Sequence, residues 1–324
     1  MRAIIPVAGV GSRLRPHTYT LPKVLLNVAG KPILGHILDT MIEEAVNEAT
    51  FVVGYMGDLV EEYVRENYDL KATFVEQESR EGLGHAIWLA RESLRDEPVL
   101  IVLGDTIFDV DLKPVMTGEH SSLGVKHVED PRRFGVIETR GQFVDQLVEK
   151  PENPTTNLAI VGLYFIKSSK LLGRCLDQLV HNNKRTRGEY QLTDALQMMI
   201  DKGERFTTFN VDRWFDCGKP ETLLATNRHL LSRRPLERRI SGAVVNSPVY
   251  IAPTATIGNA IIGPNATIAD GAVVRDSIIT NSIVGEHASV EKAILDESII
   301  GADAKVRGEI RKVNIGASSE LSIR

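Results

Sequence analysis

From Ile251 to Val306 the chain places an aliphatic residue every five or six positions: Ile251, Ile257, Ile262, Ile268, Val274, Ile279, Val284, Val290, Leu295, Ile300 and Val306. Each is typically followed by a small or acidic residue and, four positions on, by alanine or another small or aliphatic one. This hexapeptide period is the signature of a parallel β-helix, in which every short face contributes one inward aliphatic and one small side chain at a corner. With three faces to a coil, the repeat predicts about four coils.

Immediately before the repeat the composition changes at Arg233-Arg234-Pro235-Leu236-Glu237-Arg238-Arg239, which reads as a charged linker. The 324 residues exceed the roughly 250–300 at which one core stops growing. The expected division is therefore a first domain over 1–232, a linker over 233–243 and the repeat domain over 244–324. Hydrophobic residues at 43% and charged residues at 25% are ordinary for a globular protein, and a net charge of −5 argues against a general binder of nucleic acid or anionic membrane. Two cysteines, Cys175 and Cys217, are too few for a disulfide framework and are expected as reduced thiols. No leader pattern or apolar run of ~18 residues is visible, so a soluble, cytoplasmic protein is expected.

At the N-terminus an apolar run, Ala3 to Val7, enters the nearly bulk-free turn Ala8-Gly9-Val10-Gly11-Ser12, with Arg13, Arg15 and Lys23 close behind. A strand followed by such a turn can cradle phosphate with successive backbone N–H groups. The third glycine of a dinucleotide fingerprint and the lysine of a P-loop are both missing. Beyond it, strand and helix alternate. Ile33, Ile37, Leu38, Met41 and Ile42 predict a helix; residues 50–54 and 72–75 read as strands and 58–66 as a helix. A polar loop over 76–86 leads to a helix predicted over 87–94, with His85 as a packing or helix-face residue. The apolar run 98–103 reads as a central parallel strand and ends in Gly104-Asp105. A carboxylate there lies on the ligand-binding edge of an α/β sheet and requires a partner such as a metal; Asp109 and Asp111 lack that setting. Hairpin-like strands follow to residue 166, then a helix over 168–180. Glu189 to Asp194 reads equally as a helix N-terminus or as part of a motif.

The stretch from Ile4 to Leu34 resembles the signature of the sugar-1-phosphate nucleotidylyltransferases, A-G-G-x-G-T-R-L-x-P followed by P-K-x-L-L-P-V, with Val10, Ser12 and Asn27 as departures. Gly82-Leu83-Gly84-His85-Ala86, Glu149-Lys150-Pro151 and Trp214-Phe215-Asp216-Cys217-Gly218 match further family motifs in order. The resemblance implies an α/β fold: a Rossmann-like nucleotidyltransferase domain with a mixed, mostly parallel sheet, followed by a short left-handed parallel β-helix. It places Ala8, Gly9, Gly11, Ser12, Gln77 and Gly82 against the nucleotide, and Arg13 and Lys23 on its triphosphate. Gly135, Glu149, Lys150 and Gly162 fall on the sugar phosphate, and Asp105 and Asp216 on a Mg²⁺ ion.

The implied reaction takes an NTP, UTP or dTTP favoured, and a sugar 1-phosphate, glucose 1-phosphate foremost, to an NDP-sugar and pyrophosphate. GTP with mannose 1-phosphate is the alternative pair. A second class of reading is an acyltransferase built on the β-helix, for which the repeat offers only His287. A third is a non-catalytic nucleotide-sugar sensor, against which stand both metal carboxylates and both loop cations. A homo-oligomer through the flat β-helix faces is expected, with no nucleic-acid or membrane partner.

Overall fold

The computed structural model describes residues 1–233 and 240–308; residues 234–239, most of the charged linker, and the last stretch of the repeat, 309–324, lie outside the described residues. The chain forms two compact units: one of Met1–Leu26 and Lys31–Leu223, the other of Asn27–Gly30 with the chain from Leu224 onward.

The first unit is organised by four short parallel strands. β1 (Arg2–Pro6) runs parallel to β2 (Glu48–Val53) on one side and β4 (Val99–Val102) on the other, and β3 (Lys71–Glu76) runs parallel to β2. Ile4, Phe51, Val52, Leu100 and Ile101 are fully buried, as continuous apolar runs covered on both faces must be. Helices α1 (Ile33–Glu43), α2 (Gly57–Asn67) and α3 (Leu83–Leu89) fall between these strands in sequence.

The same sheet then turns mixed. β9 (Leu158–Ile166) pairs antiparallel with β4, with β6 (Ser121–His127) and with β7 (Gly135–Arg140); β8 (Phe143–Glu149) pairs antiparallel with β7, and β10 (Phe206–Asn210) parallel with β6. A separate ribbon joins β5 (Thr106–Asp109) to β11 (Arg213–Asp216), antiparallel. Helices α4 (Ser169–His181) and α5 (Leu192–Asp201) bury Leu172, Cys175, Leu176, Leu196 and Met199 in the core that also holds Ile101 and Phe206. Each such side chain withdrawn from water contributes ~1.5–3 kcal/mol.

The helix expected to begin at residue 87 starts at Leu83 instead. Gly82, at φ +103, makes the sharp entry, and the Gly84 N–H donates to the Tyr190 carbonyl at 2.8 Å. A partner more than a hundred residues away therefore sets where α3 begins. The Glu189 region resolves likewise: Thr186 and Glu189 form a bridge, and α5 begins only at Leu192.

Among the described residues of the second unit three parallel sheets of four strands each wind as a left-handed β-helix of four coils. One face stacks Ala243–Val245, Ala260–Ile262, Ile278–Ile279 and Ile294–Leu295. Inside, Ile251, Ile262, Ile268, Val274, Ile279, Val284 and Val290 form a dry column, with Ala266, Ala272 and Ala288 among them. Corners are turned by residues at positive φ: Asn259, Asn265, Asp276 and Asn281 lie between +47° and +59° or within a few degrees of it. They stack by hydrogen bonds, Asn259 Nδ2 donating to Asp276 and Asn265 Nδ2 to Asn281. Short amides tolerate this conformation better than most side chains, which explains their recurrence. Within the same unit the Ala29 N–H donates to Asn227 Oδ1, which also accepts from Thr267 Oγ1, while Asn227 Nδ2 donates to the Asn265 carbonyl. Residues 27–30 are thus held by a buried amide on α6 (Pro220–Ser232).

Candidate active site

The parallel strands deliver their carboxyl ends to one edge of the sheet, the usual place for a ligand in an α/β fold. Ala8 follows β1, Gly54 follows β2, Gln77 follows β3 and Asp105 follows β4. Gly54 packs so closely on Ala8 that a Cβ would lie 2.9 Å from the Ala8 carbonyl oxygen, and the Gln77 N–H donates to the Val53 carbonyl at 2.8 Å.

The glycine turn is held open by its own geometry. Gly11 lies at φ +63, where a Cβ would stand 2.9 Å from Lys23 Cβ and 3.0 Å from Thr18 Cγ2. Its carbonyl accepts from Thr18 Oγ1 and from the Leu14 N–H, which fixes the turn over Ser12–Leu14. Gly9, by contrast, has nothing within 4 Å of its missing side chain, so this backbone faces open space.

Lys23 is only 6% exposed, and its Nζ donates to Asp105 Oδ2 at 2.6 Å. A buried ammonium demands such a partner, and the pair fixes the lysine at the mouth of the glycine turn. Asp216 joins them because β11 pairs with β5 in a register that sets it opposite Thr106, and the Cys217 N–H donates to the Asp105 carbonyl at 3.1 Å. Arg13 completes the cluster. A Cβ on Gly218 would lie 2.7 Å from Asp216 Oδ1 and 2.9 Å from Arg13 Nη2, so both side chains close over that glycine. Burial, and then the neighbouring Asp105 charge, push the Asp216 carboxyl above its ordinary range, while Lys23 and Arg13 pull it back. Two adjacent carboxylates, one of them desolvated, form a hard-oxygen pair suited to a divalent cation. Among the described residues no group of three or more histidine, cysteine or acidic side chains does so.

A second group lies on the antiparallel side of the sheet. Gly135 pairs with Glu149 across β7 and β8. Glu149 accepts from Thr193 Oγ1 at 2.7 Å and meets Lys150 Nζ at 3.3 Å. Thr193 lies in the Glu189 to Asp194 segment that reads as part of a motif, but its pairing with Glu149, 44 residues away, has no signal in the local sequence. Lys150 itself sits at φ +45, its N–H donating to the Phe134 carbonyl. Gly162 carries a positive φ beside an irregularity in β9, and a Cβ there would strike the Leu103 side chain at 2.6 Å; packing alone requires glycine at this position. Tyr164 is buried, and its hydroxyl is pushed up by burial and then by Glu149 and Asp105, one carboxylate from each group.

The model of the nucleotidyl transferase family matches residues 2–233. The chain belongs to that family. This nucleotidyl transferase is 32% identical over 249 residues to the low-salt glycan biosynthesis nucleotidyltransferase Agl11 of Haloferax volcanii, covering 74% of this chain and 68% of that one. It is 31% identical over 295 residues to the glucose-1-phosphate thymidylyltransferase of Streptomyces antibioticus, covering 86% and 78% respectively. The chain spans 54 to 62% of the length of the bifunctional GlmU proteins of Methanococcus and Methanocaldococcus that it also matches. A crystal structure of UDP-glucose pyrophosphorylase complexed with UDP-glucose shares the fold, with a TM-score of 0.63 at 22% identity over 72% of this chain and 99% of that one. Family members generally work with a divalent metal. No helix among the described residues is long and apolar enough to cross a membrane.

Proposed function

We propose that this nucleotidyl transferase joins UTP or dTTP to a sugar 1-phosphate, glucose 1-phosphate foremost, releasing pyrophosphate. The observation that carries the reading is the convergence of Arg13, Lys23, Asp105 and Asp216 at the mouth of an open glycine turn. The thymidylyltransferase relative, matched over 86% of this chain, supports the choice of substrates.

The sugar phosphate already carries the attacking oxygen as an anion, so the reaction needs no protein nucleophile. That oxygen attacks the α-phosphorus in line, and pyrophosphate departs from the opposite side. The task left to the protein is to hold two polyanions together and to oppose their charge. Ala8, Gly9, Gly11 and Ser12 turn backbone toward the nucleotide, with Gln77 and Gly82 at the base. Arg13 and Lys23 offset the charge of the triphosphate and the departing pyrophosphate. Glu149, steadied by Thr193, accepts from the sugar hydroxyls, while Lys150 pairs with the sugar phosphate beside Gly135 and Gly162. Asp105 and Asp216 would hold Mg²⁺, with phosphate oxygens and water as its remaining ligands. When bound there, Mg²⁺ draws negative charge from the phosphoryl oxygens.

The catalytic domain is assigned to residues 1–232 and the β-helix to 244–324, the enzyme working in the cytoplasm on its small substrates. Self-association is assigned to the β-helix face on which Val244, Ile261, Ile278 and Ile294 form an outward aliphatic ladder. A monomer by light scattering at working concentration would contradict that assignment. The reaction itself is tested by pyrophosphate release with Mg²⁺, a panel of aldose 1-phosphates, and UTP, dTTP, GTP, ATP and CTP supplied singly. Release led by UTP or dTTP is expected; silence with every pair overturns the reading.

A further inference from the structure

Gln77 is 8% exposed, and every hydrogen of its amide nitrogen is spent within the protein. Nε2 lies 3.3 Å from the Gly82 carbonyl and 3.2 Å from His85 Nδ1. The Gly82 oxygen can only accept, so the NH₂ end must face it, and the assignment of nitrogen and oxygen in this amide follows from chemistry. His85 Nδ1 then accepts the second hydrogen. The remaining atom, Gln77 Oε1, accepts from no group among the described residues, yet it is not a sealed orphan within the core.

His85 is itself held on several sides. Its ring stacks on Trp88 with centroids 5.7 Å apart, leans on Tyr190 at 6.2 Å, and engages the Ser79 backbone. Burial holds the ring below the ordinary imidazole range, with Glu81 and the Ser79 backbone opposing and Arg185 assisting, and because the Gln77 NH₂ can only donate, Nδ1 is its acceptor. The lock needs His85 on the first turn of α3, which the entry at Gly82 provides.

We propose that His85 is a positioning residue that selects the nucleobase: by taking the second amide hydrogen of Gln77 it joins the Gly82 carbonyl in holding Oε1 as an acceptor-only contact. Resting on the assignment of Gln77 to the base, this acceptor matches the ring N–H of uracil and thymine and repels the unprotonated ring nitrogen of cytosine. Were the amide free to turn over, its NH₂ could donate to that nitrogen and the discrimination would fall. A buried polar group left facing a like partner is what makes such selection strong.

The test compares kcat and KM for UTP and CTP, with glucose 1-phosphate and Mg²⁺, in the wild type, His85→Phe and His85→Asn. Phenylalanine keeps the ring on Trp88 and removes Nδ1; asparagine places an acceptor oxygen near the same point. The UTP:CTP ratio of kcat/KM is expected to fall about tenfold or more in H85F, chiefly through KM, and to stay within about threefold of wild type in H85N. An unchanged ratio in H85F, or an equal loss in both variants, overturns the proposal. Calorimetric binding of UTP and CTP to the same proteins reads the selection without turnover. A wild type that binds UTP over CTP but releases no pyrophosphate would defeat the proposed reaction alone; one that binds both equally would defeat the role of His85. If H85F does not fold, loss of the UTP preference on Trp88→Leu, which frees the ring, is expected, and its retention counts against the lock.

Discussion

Both units rely on left-handed backbone, and they use it in opposite ways. In the first, Gly11, Gly82 and Lys150 are among the residues that adopt it, and these three lie at the candidate site. In the β-helix it recurs at stacked corners, where one residue hydrogen-bonds to its counterpart a coil away. An isolated departure from ordinary geometry is held by long-range contacts and fixes one particular atom in space. A repeated one is held by its own copies and fixes nothing except the coil. Substitution should therefore cost activity in the first unit and stability in the second.

The largest effects should fall on the charge cluster. Asp105→Asn or Lys23→Ala is expected to lower turnover by about two orders of magnitude or more, as befits lost charge stabilisation in phosphoryl chemistry. Pyrophosphate release by folded variants checks this, and near wild-type rates would erase the contrast. Gly218→Ala should follow, with a drop on the order of tenfold to a hundredfold, because the new methyl must part Asp216 from Arg13. Its melting temperature should scarcely move.

In the β-helix the order reverses. Ile268→Ala removes a fully buried aliphatic from the inner column and should cost about 2–5 kcal/mol of unfolding free energy. Asn281→Val loses its bonds to Asn265 and Asp296 and forces a branched side chain to φ +45, for about 2 kcal/mol. Smallest of all is Glu297→Gly, at φ +46, where relief of the corner and added chain freedom cancel to within about 0.5 kcal/mol. Denaturant unfolding measures these three, and a large change in turnover with intact stability in any of them would break the comparison.

The same difference explains what could be read in advance. The β-helix was legible because each rung repeats the last, and the parallel strands because buried runs such as Val99–Val102 have one plausible setting. The glycine turn was legible as a turn from its lack of bulk, and Gly9 indeed has nothing within 4 Å of its missing side chain. Other features were carried by contacts distant in sequence. Helix α3 begins early because Tyr190 receives it, and Glu149 is steadied by Thr193. Residues 27–30 pass into the second unit because Asn227, 198 positions from Ala29, accepts their N–H. His85 read as a helix-face residue because its link to Gln77 exists only once the helix starts at Leu83. Local pattern reports what a segment buries; it does not report which remote group will orient it.

The stacked corners have one more consequence. A β-helix in which each coil answers only to its neighbours can lengthen or shorten in whole coils, since any new coil finds the same groove above and offers the same groove below. Size in this region is thus a discrete variable, open to duplication or loss of a rung at a time, while the aperiodic unit before it admits no such arithmetic.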